Sequence, residues 1–352
     1  MICRSVHGVI IGGNLNQRKL QLFVTVIALW APLKVAWTDD AAWTFSAGGL
    51  LFGDLYTVPR HHLPQGDGAA GAVLRRGYLT FNVKSDTGWF GRLRFEANQS
   101  GEFETYDFEV DFKDLYLGYK FDRHEINIGL QPTLTYDVIE SVWGMRYLMR
   151  TPADLQGVPS RDTGISVKGR LNDILRYRLM VGAGADFGAE SGDGKSVMAA
   201  LNWQLSEQWM LDFYVDSERR PGPNDTTTGQ VFVGYQSDRT RFGAQYIYRD
   251  RESQPSGELA SAFIVHNAGQ KSQLIGRVDR IMEPSPKGDN ISYIPFDPTA
   301  RATMLVAGWE YRVSDHFRVT PNTIVISYDR NDQGIRPETD LFLRLTLFAD
   351  FE

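Results

Sequence analysis

The chain has 352 residues, a formal net charge of −6 at pH 7 and a mean hydropathy of −0.29. The negative charge argues against nucleic acid as a partner, and the single cysteine, Cys3, excludes a disulfide framework or a zinc site built from cysteines. Aromatic residues make up 12% of the chain and favour β-strands, but a polar average fits both a water-soluble β-protein and a water-filled membrane barrel.

The first segment, residues 1–38, carries basic residues and no Asp or Glu. Arg18 and Lys19 precede the apolar run LQLFVTVIALWA, which Pro32 ends. A basic stretch followed by about a dozen apolar residues is typical of a secretory signal peptide, and it is too short to span a bilayer as a helix. We therefore predict a signal peptide over 1–38, cleaved between 31 and 38, and a single barrel domain over 39–352. A buried N-terminal helix is the alternative.

From residue 43 onward, apolar residues occupy every second position in segments of about ten residues, as in transmembrane β-strands. The last segment is the clearest: its two faces are Leu341, Leu343, Leu345, Leu347, Ala349 and Phe351, against Phe342, Arg344, Thr346, Phe348 and Asp350. The alternation predicts sixteen strands, over 43–52, 75–84, 89–98, 109–121, 124–131, 163–171, 176–184, 196–204, 209–217, 228–236, 240–249, 257–266, 271–282, 302–312, 316–328 and 340–351. Segment 257–266 fits a short helix equally well. The apolar phase reverses near Lys113 and near Pro321, which predicts a β-bulge at each.

The connections alternate between short turns and long loops rich in Gly, Pro, Asp and Asn, and the longest loop, 132–162, is the third. Short turns at one rim and long loops at the other are typical of outer-membrane barrels. Several aromatic residues lie near strand ends, as in interfacial girdles: Trp43, Trp89, Trp203, Trp209, Trp309, Tyr248 and Tyr311. The predicted fold class is all-β: a transmembrane antiparallel β-barrel in a Gram-negative type of outer membrane, with both termini periplasmic.

Residues 110–170 resemble the trimeric outer-membrane porins, most nearly the phosphate-selective porin O/P family. The matching stretches are KDLYLGY at 113–119, INIGLQP at 126–132 and SRDTGISVKG at 160–169. The resemblance implies a sixteen-stranded barrel, a homotrimer and a long third loop folded into the pore.

The predicted function is passive diffusion of small hydrophilic solutes and ions, with a preference for anions and possible selectivity for phosphate. A pore works through charge on its constriction and wall, and basic residues outnumber acidic ones on the predicted polar strand faces. The candidate pore-lining residues are Arg92, Arg94, Asp137, Glu140, Arg146, Arg150, Arg161, Lys168, Arg241, Arg277 and Arg344. The alternative is that these arginines pair with inward acids and only hold the barrel together.

A barrel enzyme is the main alternative function, because hydrolysis needs a nucleophile beside an oriented histidine. The predicted strands place His124, His266 and His316 at turns and His61 and His62 in the first long loop. We therefore predict no enzymatic activity. A closed structural barrel would require a plug, and the chain contains no separate plug domain.

No cofactor or metal ion is predicted. Adjacent histidines in a loop, as at 61–62, are expected to be solvated, and the spacing of Asp289, Asn290 and Asp297 matches no calcium-binding loop. The partners predicted are outer-membrane lipid, small anions or hydrophilic solutes, and two further copies of the chain.

Overall fold

A computed structural model describes residues 41–99, 108–184, 194–285, 288–291 and 293–351. The predicted signal peptide, its cleavage site and Cys3 lie outside these residues. Within them, sixteen antiparallel strands form a closed barrel in which every strand pairs with its neighbours in sequence and β1 pairs with β16. The strands are β1 (Trp43–Arg60), β2 (Ala70–Ser85), β3 (Trp89–Gln99), β4 (Phe108–Phe121), β5 (His124–Pro132), β6 (Arg161–Arg170), β7 (Leu175–Gly182), β8 (Lys195–Gln204), β9 (Trp209–Arg219), β10 (Thr226–Gln236), β11 (Thr240–Arg251), β12 (Gly257–Asn267), β13 (Ser272–Ile281), β14 (Ala302–Ser314), β15 (Phe317–Tyr328) and β16 (Asp340–Phe351).

All sixteen predicted strands are present, and segment 257–266 forms β12 rather than a helix. The largest difference in bounds is at β1, which continues to Arg60 and pairs with an earlier start of β2. The sequence Gly53-Asp54 interrupts the apolar alternation and resembles a turn. In the structure, however, Asp54 is buried and bound to Arg75, so the strand continues through it.

In many strands the buried face is polar and the exposed face is apolar, the opposite of the arrangement in a water-soluble protein. In β9, Asp212 is 1% exposed while its neighbour Phe213 is 40% exposed. We call the face with the buried, mostly polar side chains the inner face. Trp89, Trp203, Trp209, Trp309, Tyr248 and Tyr311 are among the exposed aromatic residues of the outer face. An apolar exterior around a polar interior suits a barrel surrounded by lipid.

The bulge predicted near Lys113 is confirmed. The β3–β4 register shifts between Arg94 and Phe95, whose partners are Asp114 and Phe112, so Lys113 is the extra residue. Lys113 and Asp114 are consequently both buried, although they are consecutive. A second bulge, which the alternation did not predict, lies in β2, where Arg75 is the extra residue opposite the step from Phe52 to Gly53.

The bulge predicted near Pro321 is wrong. β15 pairs with β14 in the same register on both sides of Pro321, and its pairing with β16 is unbroken. The apolar phase reverses because Ile324 and Ile326 lie on the inner face, where both are fully buried. They pack in an apolar cluster described next, so no extra residue is needed.

The third connection, residues 133–160, contains two short helices, α1 (Asp137–Trp143) and α2 (Pro152–Leu155). Its apolar side chains pack in one buried cluster with apolar residues of the inner face. Members from the connection include Ile139, Val142, Trp143, Leu148 and Leu155, and members from the strands include Phe232, Phe263, Ile324, Ile326 and Phe342. No helix in the described ranges is long and apolar enough to cross a membrane.

The connections follow the predicted alternation. Those after even-numbered strands, such as 86–88, 122–123 and 315–316, are short turns. Those after odd-numbered strands are longer, and they include 61–69, 133–160 and 282–301. One rim of the barrel therefore carries the turns and the opposite rim carries the long connections.

Candidate functional site

The third connection is bound to the inner face by polar side chains from several strands. Irregular backbone leaves carbonyl groups that need partners when buried. Arginine and glutamine side chains of β7, β10, β11 and β13 donate to them: Arg178 to Leu134 (3.2 Å), Gln230 to Thr135 (3.1 Å), Arg249 to Gln156 (3.2 Å) and Arg277 to Arg150 (2.6 Å). Because the accepting carbonyls lie near the start of the segment, at Arg150 and near its end, 133–160 is held at several points along its length.

Trp143, at the end of α1, is the largest fully buried side chain of the segment. Its ring packs edge-on against Phe263 of β12, with centroids 4.8 Å apart, and its indole N–H donates to the carbonyl of Met149 at 3.0 Å. The Arg277 guanidinium lies 5.2 Å from the indole centroid, within cation–π range. Trp143 therefore links the helix, the following turn and the barrel wall.

Helix α1 ends at Gly144, which has φ of 64°. The left-handed conformation favours glycine. A Cβ at this position would also crowd the guanidinium of Arg241 from β11, because it would lie 3.0 Å from Nη1. Arg241, predicted to line the pore, thus contacts the segment directly.

Five arginines converge where the segment meets β2 and β16. This arginine cluster consists of Arg75, Arg76, Arg146, Arg150 and Arg344, and with Tyr293 it lines a cavity of about 10 Å³. Arg75 and Arg150 also lie 5.7 and 5.8 Å from the ring centroid of Tyr293, whose hydroxyl donates to the Arg75 carbonyl at 2.8 Å. Two connections and two strands are therefore needed to build the cluster.

Two of the cluster's arginines share the buried carboxylate of Asp54. Arg75 Nε lies 3.0 Å from Asp54 Oδ2, and Arg344 Nε lies 3.9 Å from the same oxygen. Thr346 also donates its hydroxyl to Asp54 Oδ1 at 2.6 Å. The Arg344 guanidinium further donates to the carbonyl of Tyr293. This part of the cluster ties β1, β2 and β16 together.

The other three arginines face acids of the connection and of β3. Asp154 accepts from Arg146 at 2.5 Å and from Arg150 at 2.9 Å. Glu140 lies 3.3 Å from Arg146. Glu96 lies 3.4 Å from Arg76 and 2.8 Å from Lys113.

The cluster is positively charged overall. In the part of the chain that the structure describes, its five arginines and Lys113 face four carboxylates, those of Asp54, Glu96, Glu140 and Asp154. Two positive charges therefore remain. Guanidinium groups in a site of low dielectric attract anions more strongly than they do in water.

Asp154 and Glu140, the two acids that the connection contributes to the cluster, differ in their proton affinity. Burial opposes ionisation of Asp154, but the guanidiniums of Arg146, Arg150 and Arg76 outweigh it and hold the pKa of Asp154 well below its usual range. For Glu140, partial burial dominates over attraction by Arg146 and raises its pKa above the ordinary value. Of these two acids, Glu140 therefore takes up a proton first as the pH falls.

Four other predicted residues, Arg94, Asp137, Arg161 and Lys168, form a second group with Asp114. Asp114 binds Arg161 at 2.6 Å and Arg94 at 3.4 Å. Lys168 donates to Asp137 at 3.3 Å. The sequence left open the alternative that the basic residues pair with inward acids. These three pairs fit that alternative better than they fit a wall of free basic residues.

The structure brings together four of the eleven predicted residues in the arginine cluster: Glu140, Arg146, Arg150 and Arg344. Two other predicted residues have partners outside the cluster. Arg92 binds Asn82 at 2.9 Å, and Arg277 forms a bidentate ion pair with Asp279 whose shortest contact is 2.6 Å. The sequence analysis missed Arg75, Arg76 and Tyr293. The signal for the first two was two adjacent arginines at the edge of a predicted strand, which a bulge can turn to the same face.

Three histidines of the described residues lie at short turns, and two lie at the start of the first long connection. His124 contacts the Tyr177 hydroxyl, His266 contacts Thr240 and His316 contacts Asp350, all at the rim of short turns. None of these three rings contacts a serine and a carboxylate together. The expectation that His61 and His62 are solvated is wrong, because His61 is 2% exposed and the His62 side chain 3%.

Comparison with known proteins gives structural relatives only. No family model matches the sequence, and no curated protein matches it. The barrel is similar to an anion-selective porin from Comamonas acidovorans, with 11% identity, a TM-score of 0.63, and coverage of 88% of this chain and 100% of that one. It is similar to OmpF of Salmonella typhi, with 13% identity, a TM-score of 0.64, and coverage of 87% and 97%. It is also similar to a trimer form of OmpT, an outer-membrane protein of Vibrio cholerae, with 13% identity, a TM-score of 0.58, and coverage of 88% and 100%. The chain thus has the fold of outer-membrane porins.

Proposed function

We propose that this protein is a porin of a Gram-negative outer membrane: a water-filled channel for passive diffusion of small hydrophilic solutes and ions, without enzymatic activity. The observation that carries the proposal is the charged inner face of a closed barrel whose exterior is apolar. A soluble protein has no use for an apolar exterior, and a barrel filled only by apolar packing has no use for rows of inward charges.

The segment 133–160 forms the constriction in this proposal. Hydrogen bonds from β7, β10, β11 and β13 and the packing of Trp143 hold it against the inner face. A segment fixed in this way narrows the channel and places its charges, Glu140, Arg146 and Arg150 among them, beside the solute. Pore radius and charge at such a point decide which solutes pass.

The channel prefers anions because the arginine cluster carries two more positive than negative charges. Each guanidinium is already partly neutralised by a carboxylate, which keeps any one site from holding an anion too tightly for passage. The similarity to an anion-selective porin supports this direction of selectivity.

Phosphate selectivity is the finer form of the proposal. Planar guanidinium groups bind phosphate in bidentate fashion, and five of them lie close together in the cluster. Adding phosphate to the bath should then reduce the chloride current through the channel in a saturable way. A chloride current that stays constant over the titration would remove phosphate selectivity and leave the general anion preference standing.

The anion preference should increase at mildly acid pH. Because the pKa of Glu140 is raised, this carboxyl takes up a proton before ordinary carboxyls as the pH falls, and the cluster gains one positive charge. Over this pH range we expect the reversal potential in a salt gradient to move further toward the equilibrium potential of the anion. In Glu140→Gln, which is neutral at every pH, the early part of the shift should be missing; an identical pH profile in both proteins would contradict the assignment.

Assembly and orientation complete the proposal. The protein forms a homotrimer in the lipid of the outer membrane, with both termini on the periplasmic side and residues 1–38 removed as a signal peptide. Electrophoresis without heating should show a species three times the mass of the heated chain. Sequencing of the mature N-terminus should begin between residues 32 and 39.

Liposome swelling tests the channel itself. Vesicles containing the purified protein should swell in sugars at rates that fall with increasing sugar size and do not saturate with concentration. Swelling no faster than that of protein-free vesicles, for the smallest sugar, would contradict the porin function.

A further inference from the structure

We propose that His61, His62 and Asp340 form a binding site for a divalent transition-metal ion such as Zn²⁺, at the rim that carries the long connections. This site is separate from the arginine cluster and does not depend on the proposed channel function.

The pairing of the first and last strands brings these residues together. Arg60, the last residue of β1, pairs with Leu341 near the start of β16. His61 and His62 follow directly in the chain, and Asp340 immediately precedes Leu341. The donors therefore come from opposite ends of the barrel sequence and meet at its closing seam.

The three side chains offer one ligand atom each, and these atoms lie within 4.8 Å of one another. In a tetrahedral zinc site, ligand distances of about 2.1 Å separate neighbouring donors by about 3.4 Å, so the donors need only a small movement to close on an ion. The two imidazole rings are stacked, with centroids 4.4 Å apart and planes at 28°. Two imidazoles and one carboxylate are a common zinc set that leaves a fourth position open.

The site is enclosed. Asp340 is fully buried, His61 is 2% exposed and the His62 side chain 3%. Phe342 lies edge-on to the His61 ring at 5.6 Å, and Tyr328 lies edge-on to the His62 ring at the same distance. A carboxylate in such surroundings needs a positive partner, and a metal ion supplies more charge than a protonated imidazole.

Outer contacts hold Asp340 in place. The His62 amide donates to Asp340 Oδ1 at 2.6 Å, and the Tyr328 hydroxyl donates to Oδ2. Hydrogen bonds to a ligating carboxylate orient it for the metal.

Metal binding at this site rearranges the protons of the imidazoles. His62 Nδ1 lies 2.9 Å from both oxygens of Asp340, a contact that requires a proton between nitrogen and carboxylate. A neutral imidazole carries one proton, so coordination through Nδ1 moves that proton to Nε2 and leaves Nδ1 and the carboxylate to bind the ion. His61 Nδ1 accepts from the Leu63 amide at 3.0 Å, so coordination through Nδ1 replaces that contact.

Calorimetric titration of the full-length folded protein with Zn²⁺, without a polyhistidine tag, tests the site. We expect one tight ion per chain. His61→Ala and Asp340→Asn should each weaken binding at least about tenfold. His316→Ala is the matched control: His316 also contacts a carboxylate, Asp350 at 3.2 Å, but it lacks a second imidazole, so its loss should leave the tight site unchanged.

The Co²⁺ spectrum of the unaltered protein provides a readout that needs no variant to fold. It should show the absorption of an imidazole-bound, four- or five-coordinate ion that Zn²⁺ displaces and Ca²⁺ does not. Either an absence of that spectrum, or Zn²⁺ binding that His61→Ala and Asp340→Asn leave as tight as His316→Ala does, would overturn the proposal and reduce the three residues to a hydrogen-bonded contact.

Discussion

Replacing Arg146 and Arg150 together by glutamine should abolish the anion preference of the channel. Both side chains lie in the arginine cluster and bind Asp154. The double variant removes the cluster's two excess positive charges while Asp154 keeps its negative charge near Arg76. At about 7 Å in water, each lost charge changes the energy of a passing monovalent ion by about 0.6 kcal/mol, in opposite directions for anions and cations. After screening by salt, we expect the permeability ratio of anions to cations to fall by about tenfold.

The control for this variant removes the same charge elsewhere. Lys120 and Arg123 lie at a short turn, and their side chains are 59% and 56% exposed. Lys120→Gln with Arg123→Gln should leave the permeability ratio nearly unchanged, because exposed charges far from the narrowest point are screened. If both double variants shift the ratio equally, selectivity depends on overall charge and the cluster is not the selective element.

Trp143→Ala should widen and destabilise the constriction without unfolding the barrel. Trp143 is fully buried, and its loss removes the packing on Phe263, the bond to Met149 and the contact with Arg277. Truncation of a buried tryptophan costs about 3–5 kcal/mol, and here the cost falls on the attachment of segment 133–160. We expect a larger single-channel conductance, with added current noise from a mobile segment.

Trp203→Ala is the matched control for this substitution. Trp203 is 43% exposed on the outer face of β8, the face opposite to the one that meets the segment. Its removal should leave the conductance unchanged. Circular dichroism and electrophoretic mobility should show both variants as folded barrels. Unchanged conductance in Trp143→Ala, with the barrel intact, would mean that the segment does not limit the current.

The strands could be predicted from the sequence because the alternation that identifies a strand lies within the residues of that strand. Alternation with a period of two shows the two faces directly, and it survives wherever one face meets lipid and the other meets polar groups. β12 illustrates this: its run of small and apolar residues also fits a helix, but strands on both sides of it require a partner at that position.

The errors arose where apolar residues face inward. At Pro321 the reversed phase suggested an extra residue, whereas Ile324 and Ile326 in fact meet the apolar side chains of the third connection. At Arg75 the opposite happened, since a bulge was present but no change in the apolar pattern marked it. The pattern reports polarity, and it indicates the register only when each face has a single kind of neighbour.

The sequence predicted which types of residue form the candidate site, but it did not predict all of the residues that belong to it. Arg146 and Arg150 could be chosen because they are basic residues of the longest connection. Their partners could not, because Tyr293 comes from another connection, 282–301, and Asp54 from a stretch that resembled a turn. Contacts between residues more than a hundred positions apart depend on how the connections fold, which alternation does not report.

The current through the purified protein in a planar lipid bilayer, under a salt gradient, tests the central claim most directly. We expect discrete conductance steps and a reversal potential whose sign indicates that anions are the more permeant ions. A protein that inserts as a folded barrel but conducts no current would contradict the channel, and a reversal potential of the opposite sign would contradict the role of the arginine cluster.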